Sequence, residues 1–288
     1  MNGHDDQSVP VNVFFGASDV VHLIAPSGAD RQHLPPARPQ GNAPKPFMQD
    51  DGVTRALHFS AGFVQSEMCI EKPYALALRY TRKMMAFLLF RPLPKSVTIV
   101  GLGGGSLTKF CYHQLPRARI TTVEINHDVI ELSPLFHVPG ESERMSIVHA
   151  DAADYFAATP DRVDVILLDG CDANGIAPAF SDAQFYRNLR GRLRPGGVLV
   201  ANLVGSVQVV ELHVRLIAET FANQLIVQNV SREGNRVAFA FNDPWLPPDW
   251  AMIQLRAKRL QRRHGLDYPA FARRLRRTYE QQKLRRGI

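Results

Sequence analysis

A strand that runs straight into a cluster of glycines and then into a helix leaves few folds open to this chain. The stretch is Val97-Thr98-Ile99-Val100-Gly101-Leu102-Gly103-Gly104-Gly105-Ser106-Leu107-Thr108-Lys109-Phe110. Its β-branched start suits a buried strand, and the segment after Gly105 suits a helix. Glycine is needed between them because the backbone must turn sharply, sometimes at positive φ, and lie close to a ligand with no Cβ in the way. Alone such a turn is a weak signal, and the reading as a tight turn only stays open beside the functional one. The residues downstream have to decide.

From Val97 onward the chain alternates. Strands are expected at 97–101, 119–125, 145–149, 163–168 and 197–203, with 224–230 and 236–242 as a closing antiparallel pair. Helices are expected near 106–114, 127–136, 151–158, 182–193 and 207–221. Runs such as Val163-Asp164-Val165-Ile166-Leu167-Leu168 suit a sheet covered on both faces. The class is therefore α/β, Rossmann-like, with a mainly parallel seven-stranded sheet. Ahead of it, residues 1–72 read as a small β-rich unit with strands at 11–15, 20–24, 54–59 and 63–66. A Pro/Gly-rich loop lies between about Pro26 and Pro46, and Ser60-Ala61-Gly62 reads as a hairpin turn. Residues 73–90 read as a helix with Pro73 in its first turn. The expected division is 1–72, 73–248 and a basic helical tail, 249–288.

Open parallel sheets bind ligands at the carboxyl ends of their strands. Each expected strand end there carries chemistry. The first ends in Gly101, Gly103, Gly104 and Gly105. The second ends at Glu124, about twenty residues on, where an acid can accept from both hydroxyls of a ribose. The third ends at Asp151, placed to accept from an exocyclic adenine amine. The fourth ends at Asp169 and Asp172, two carboxylates at the sheet's mouth. Any one of them can equally be a helix N-cap or a turn residue; four in register outline a nucleoside site with a carboxylate pair beside it.

Those residues carry a resemblance. Gly103-Gly104-Gly105, Val123-Glu124-Ile125, Asp151 with Phe156, Asp164 to Asp169, Asp172 with Pro178, Phe185-Tyr186 and Leu193-Arg194-Pro195-Gly196-Gly197 together resemble the spermidine synthase (polyamine aminopropyltransferase) family. Upstream, Phe63-Val64-Gln65-Ser66 and Pro73-Tyr74 are similar to its entrance segment. The resemblance spans roughly residues 52–242 and implies the fold of S-adenosylmethionine-dependent methyltransferases. It implies that Glu124 holds the ribose and Asp151 the adenine, that Gln65 contacts the donor's side chain, and that Asp169 is the catalytic carboxylate. Asp172 and Tyr74 would position the second substrate. The donor would be decarboxylated S-adenosylmethionine, the acceptor a small amine, and the assembly a homo-oligomer such as a dimer.

The chain departs from that family at Ser106, where an aspartate is usual, and at Ala75-Leu76, where His-Glu is usual. It departs again at Glu233-Gly234-Asn235-Arg236-Val237, where Arg236, if turned inward, would repel a diamine. An atypical acceptor site follows. The alternatives are a methyltransferase using S-adenosylmethionine itself, a nucleoside-binding protein without catalysis, and a nucleic-acid-binding protein using the basic tail. A methyltransferase would need a group for the donor's carboxylate; Lys109 is a candidate, but a lysine on a helix face is more often simply solvated.

The net charge of +7 is uneven: residues 254–288 hold twelve Lys and Arg against Asp267 and Glu280, which leaves the rest of the chain at −3. The tail reads as two helices broken at Gly265, with Phe271, Leu275 and Tyr279 as an apolar stripe. Packing on a neighbour, with the arginines solvated, is preferred there over RNA or a membrane surface, because no stacking platform accompanies the charge. No run of about 18 apolar residues is present, and the acidic start Met1 to Asp6 lacks a signal sequence's pattern. Cys69, Cys111 and Cys171 are too few and too scattered for a disulfide framework or a zinc site, and fit free thiols in a reducing cytoplasm. Cys171 is read as a small filler rather than a nucleophile, and His127 and His149 as capping or packing residues. No metal is expected.

Overall fold

The computed structural model describes residues 9–16, 19–25, 45–60, 63–172, 175–230, 234–243 and 248–286. The expected Pro/Gly-rich loop and the Ser60 hairpin tip fall largely outside them.

Two sheets make up the frame. The first is antiparallel, ordered β2-β1-β3-β4-β5, from β1 (Val9–Gly16), β2 (Asp19–Ala25), β3 (Phe47–Asp50), β4 (Thr54–Ser60) and β5 (Phe63–Cys69). The strand β3 is the one the residue pattern does not announce: at four residues it is too short to show a clear alternation. The second sheet holds β6 (Ser96–Val100), β7 (Arg119–Glu124), β8 (Met145–His149), β9 (Val163–Leu168), β12 (Leu193–Leu203), β13 (Leu225–Asn229) and β14 (Arg236–Phe241). A two-residue hairpin, β10 (Cys171–Asp172) with β11 (Gly175–Ile176), follows β9. The large sheet runs β13-β14-β12-β9-β6-β7-β8, parallel from β12 to β8, with β14 antiparallel to both β12 and β13. The expected α/β sheet of seven strands is what forms.

Side chains alternate strictly across its two faces. Val165, Leu167, Val198, Val200, Val237, Phe239 and Phe241 enter one core; Ile166, Leu168, Leu199, Ala201, Ala238 and Ala240 enter the other. Helices α2 (Ser106–Gln114) and α3 (His127–Leu132) cover the first face, and α4 (Ala152–Ala158), α5 (Ala183–Gly191) and α6 (Val207–Thr220) the second. The tail forms a hairpin of α7 (Trp250–His264) and α8 (Tyr268–Arg286), broken by Gly265 at φ 71°. Its apolar stripe, Ile253, Ala257, Leu260, Tyr268, Ala272 and Leu275, packs into the first core. The neighbour that the tail packs on is its own domain.

The segment 73–90 is not one helix. Helix α1 spans only Arg79–Met84, then tightens into a 3-10 turn over Met85–Leu89, all fully buried. Residues 72–75 form a turn instead, the Ala75 amide donating to the Lys72 carbonyl at 3.0 Å, and Leu78 just ahead of α1 is extended. Thr81 Oγ1 donates to the Leu78 carbonyl at 2.8 Å, and the Arg82 guanidinium reaches the carbonyls of Ala77 and Leu78. Pro73 can start a helix but does not have to. The consequence is that the residue facing the sheet's mouth from α1 is Tyr80.

Candidate functional site

The glycine turn closes between three walls. Gly101, Gly103 and Gly105 take φ of 88°, 51° and 68°, a region that L side chains rarely adopt. A side chain at Gly101 would collide with the Asp169 carbonyl oxygen, and one at Gly104 would come within 2.7 Å of Ser66 Oγ and 2.9 Å of the Phe136 ring. The turn is therefore tight on the protein side, and the end of β9 packs directly on it. Ser106 is the half-buried first residue of α2.

Glu124, at the end of β7, is buried and anchors that turn. Its two carboxylate oxygens accept from the Leu102 amide at 2.7 Å and the Asn126 amide at 2.8 Å. Each oxygen keeps a further lone pair for a ligand. Asp151 is the N-cap of α4, accepting from the Ala153 amide at 2.7 Å. Gln65 lies on β5, half-buried, one residue before the Ser66 that faces Gly104.

Asp169 follows β9 and is the hub of a polar chain. Its Oδ1 accepts from Asn202 Nδ2 at 2.7 Å, and its Oδ2 from the Tyr80 hydroxyl at 3.1 Å. Asn202, on β12, has its own Oδ1 held by Asn235 Nδ2 at 2.9 Å. That bond fixes the Asn202 amide so that its NH2 faces Asp169. The residue is partly open at the mouth, but its carboxylate sits deep enough that desolvation pushes its pKa up to about 7, even with Asn202 and Tyr80 pulling the other way. Both of these donors are neutral. Arg236, which could have supplied a charge, instead pairs with Glu211 of α6 at 2.5 Å on the outer surface. The diamine-repelling arginine is not in the site.

Two other expectations are displaced. Tyr74 is exposed and lies against His113 near the end of α2, ring centroids 4.1 Å apart. It does not join the group around Asp169; Tyr80 does. Lys109 is not solvated: it is 1% exposed, its Nζ donating to the Phe136 carbonyl at 2.7 Å beside Met68 Sδ at 3.2 Å. Arg55 of β4 reaches the adjacent Leu135 carbonyl, so two cations cap the end of the α3 segment, where carbonyls lack helical partners. Burial, then Arg55, lowers the Lys109 pKa to about 8. The backbone of Asp172 and Cys171 forms β10, but their side chains lie outside what is described. His149 Nε2 bonds the Ile125 carbonyl at 3.0 Å and packs against His127, ring centroids 5.4 Å apart.

Sequence reasoning also missed Asn202 and Asn235. Asn202 sits in an otherwise apolar strand, Val198 to Leu203, and a lone amide there is a signal in retrospect. Nor did spacing suggest that His127, Asp128 and Glu131 bring ligand atoms within 4.8 Å of one another on the surface of α3. An open cavity of about 570 Å³ beside Arg162, Arg187 and Arg190 lies at the foot of the sheet, away from these acids.

Comparison with known proteins follows the same lines. The spermine/spermidine synthase domain family matches residues 78–235. The polyamine aminopropyltransferase of Chromobacterium violaceum is 33% identical over 239 residues, 83% of this chain and 92% of its own length. A probable spermidine synthase from Corynebacterium glutamicum superimposes with a TM-score of 0.61 at 18% identity, over 77% of this chain and 88% of that one. Human methyltransferase-like protein 13, solved in complex with SAH, superimposes with a TM-score of 0.59 at 25% identity, over 66% and 93%. With a family match across more than half of its residues, this chain belongs to the spermine/spermidine synthase family.

Proposed function

We propose that the chain transfers an aminopropyl group from decarboxylated S-adenosylmethionine to a small amine. The observation that carries this is Asp169: a carboxylate beside the glycine turn, held by the neutral donors Asn202 and Tyr80, with a pKa of about 7. An alkyl ammonium, with a pKa of about 10 by analogy with lysine, must lose a proton before it can attack. Asp169 holds that ammonium and accepts or relays its proton. The amine nitrogen then bonds to the sulfonium's propyl carbon as the carbon–sulfur bond breaks, and the electron pair stays on sulfur. The leaving group is neutral methylthioadenosine, so no general acid is needed.

The donor lies along the turn. Glu124 takes the ribose hydroxyls on the lone pairs left by Leu102 and Asn126, Asp151 accepts from the adenine amine beside its capping bond, and Gln65 meets the aminopropyl arm. Tyr80 takes the positioning role that the sequence pointed to at Tyr74, with Asp172 on the acceptor side. The commitment of Lys109 to the Phe136 carbonyl supports the decarboxylated donor, because the α2 cation best placed for a carboxylate is already engaged.

Calorimetry with both donors separates this from methyl transfer: tighter binding of S-adenosylmethionine than of its decarboxylated form counts against it. The direct assay offers the decarboxylated donor with a panel of mono-, di- and triamines and measures methylthioadenosine. Release with none of them would sink the proposal.

A further inference from the structure

Docking of the tail on its own domain leaves a surface that the reaction at the mouth does not use. Both helices turn their apolar stripes inward, so what remains outside is charge. On α7 four exposed cations fall between residues 258 and 263, and on α8 four more between 273 and 277. Ring contacts fix the helices as antiparallel: Trp250 meets Tyr279 at 5.8 Å and His264 meets Tyr268 at 6.0 Å. The eight cations therefore share about 15 Å of the hairpin's length at about 1.5 Å per residue. Only two acids lie between 258 and 283. Glu280 is bonded to Arg276 at 2.8 Å, and Asp267 caps α8 through the Ala270 amide at 3.0 Å. Neither neutralises the rest.

We propose that this face of α7 and α8 binds the phosphate backbone of a double-stranded nucleic acid. Charge complementarity selects a polyanion of dense, regular phosphates, because a duplex presents about one charge per 1.7 Å of its axis. Single strands are held largely by bases stacked on exposed aromatic rings. Here Tyr268 is fully buried, and Phe271 and Tyr279 lie against the core. A membrane-surface helix needs apolar side chains to insert beside its cations. The exposed ones, Met252, Leu255 and Leu284, lie on the side of the hairpin away from Gly265, outside both cation clusters. Contacts of this kind go to phosphates and carry no sequence preference.

The test is fluorescence anisotropy of the full chain with a labelled mixed-sequence DNA duplex of about 20 base pairs, titrated with salt. With about four phosphates neutralised, the slope of log K against log salt is about −3.6, a loss of about a hundredfold between roughly 50 and 200 mM. Replacing Arg262, Arg263, Arg273 and Arg277 with glutamine removes half of the eight cations and should weaken binding about a hundredfold at low salt and roughly halve the slope, to about −1.8. The same four positions as lysine should bind within about threefold of the natural chain, and thermal melting checks that both variants fold. Four results would overturn the proposal: binding unchanged by the glutamine set, binding lost in the lysine set, a single strand bound as tightly as the duplex, or phosphatidylserine vesicles bound in its place.

Discussion

The two aspartates at the ends of β9 are five residues apart and differ in role as well as place: Asp164 stands at its foot and Asp169 just past its top. Both are taken out of water, and burial alone would raise both pKa values. At the foot, burial is overruled. Asp164 accepts from Arg91 at 2.5 Å and from the Lys95 and Ser96 amides at 2.6 and 3.2 Å, and its carboxyl is held below the usual range. At the mouth, two neutral donors leave burial in command, and Asp169 rises to about 7. A carboxylate given cations and amides serves as a structural clamp. One given only a hydroxyl and an amide side chain is kept able to exchange a proton near neutrality.

The largest effect should separate the two outright. Asp169→Asn is expected to lower methylthioadenosine release by about a thousandfold, the scale of a lost general base, with little loss of fold. Equal loss from Asp164→Asn, once corrected for unfolding, would erase the distinction. Asp164→Asn should instead destabilise by about 2 kcal/mol, lowering Tm by roughly 4 to 8 °C, with kcat preserved in the folded fraction. The pH dependence of stability sharpens the contrast, because the two signs are opposite. Asp164, depressed in the fold, contributes stability at neutral pH that disappears as pH falls through its folded pKa. Asp169, raised in the fold, contributes stability below about pH 4 that disappears as pH climbs through about 7. With Asn standing for the protonated acid, each variant should melt close to the natural chain in acid; toward neutral pH Asp164→Asn should fall below it and Asp169→Asn should rise above it.

Smaller changes test the neutral donors. Tyr80→Phe removes one of them, which favours the protonated form and moves the rising limb of kcat/KM upward by about half to one pH unit. Activity should then fall a few-fold at pH 7 and recover near pH 9. Asn235→Ala frees the Asn202 amide to turn, and the same shift should appear at about half that size. A drop independent of pH in either variant would mean that they shape the pocket rather than tune Asp169.

The large sheet could be read from the sequence because its strands are apolar, β-branched and evenly spaced, and because Gly265 and the glycine turn mark their own breaks. The acids past the strands were legible for a related reason: in an open parallel sheet, position after a strand is position at the mouth. What could not be read were contacts made across long separations by residues with ordinary local behaviour. Tyr74 and Tyr80 look alike in sequence; only the turn at residues 72–75 and the extended Leu78 ahead of α1 put the second at Asp169. Lys109 has the spacing of a solvated helix residue, and it is buried because β5 and the end of α3 close over it. Asn235 acts through Asn202 from 33 residues away.

The contact between Gly101 and the Asp169 carbonyl oxygen bears on how the site could evolve or be redesigned. The loop proposed to grip the donor and the loop that carries the proposed base touch backbone to backbone, with no side chain between them to absorb a change. A methyl group at position 101 would push the base away from the donor before it disturbed either ligand. Under the proposed function, acceptor preference can drift through Tyr80, Asn202 and Asn235, while the spacing between donor and base is inherited as a single unit.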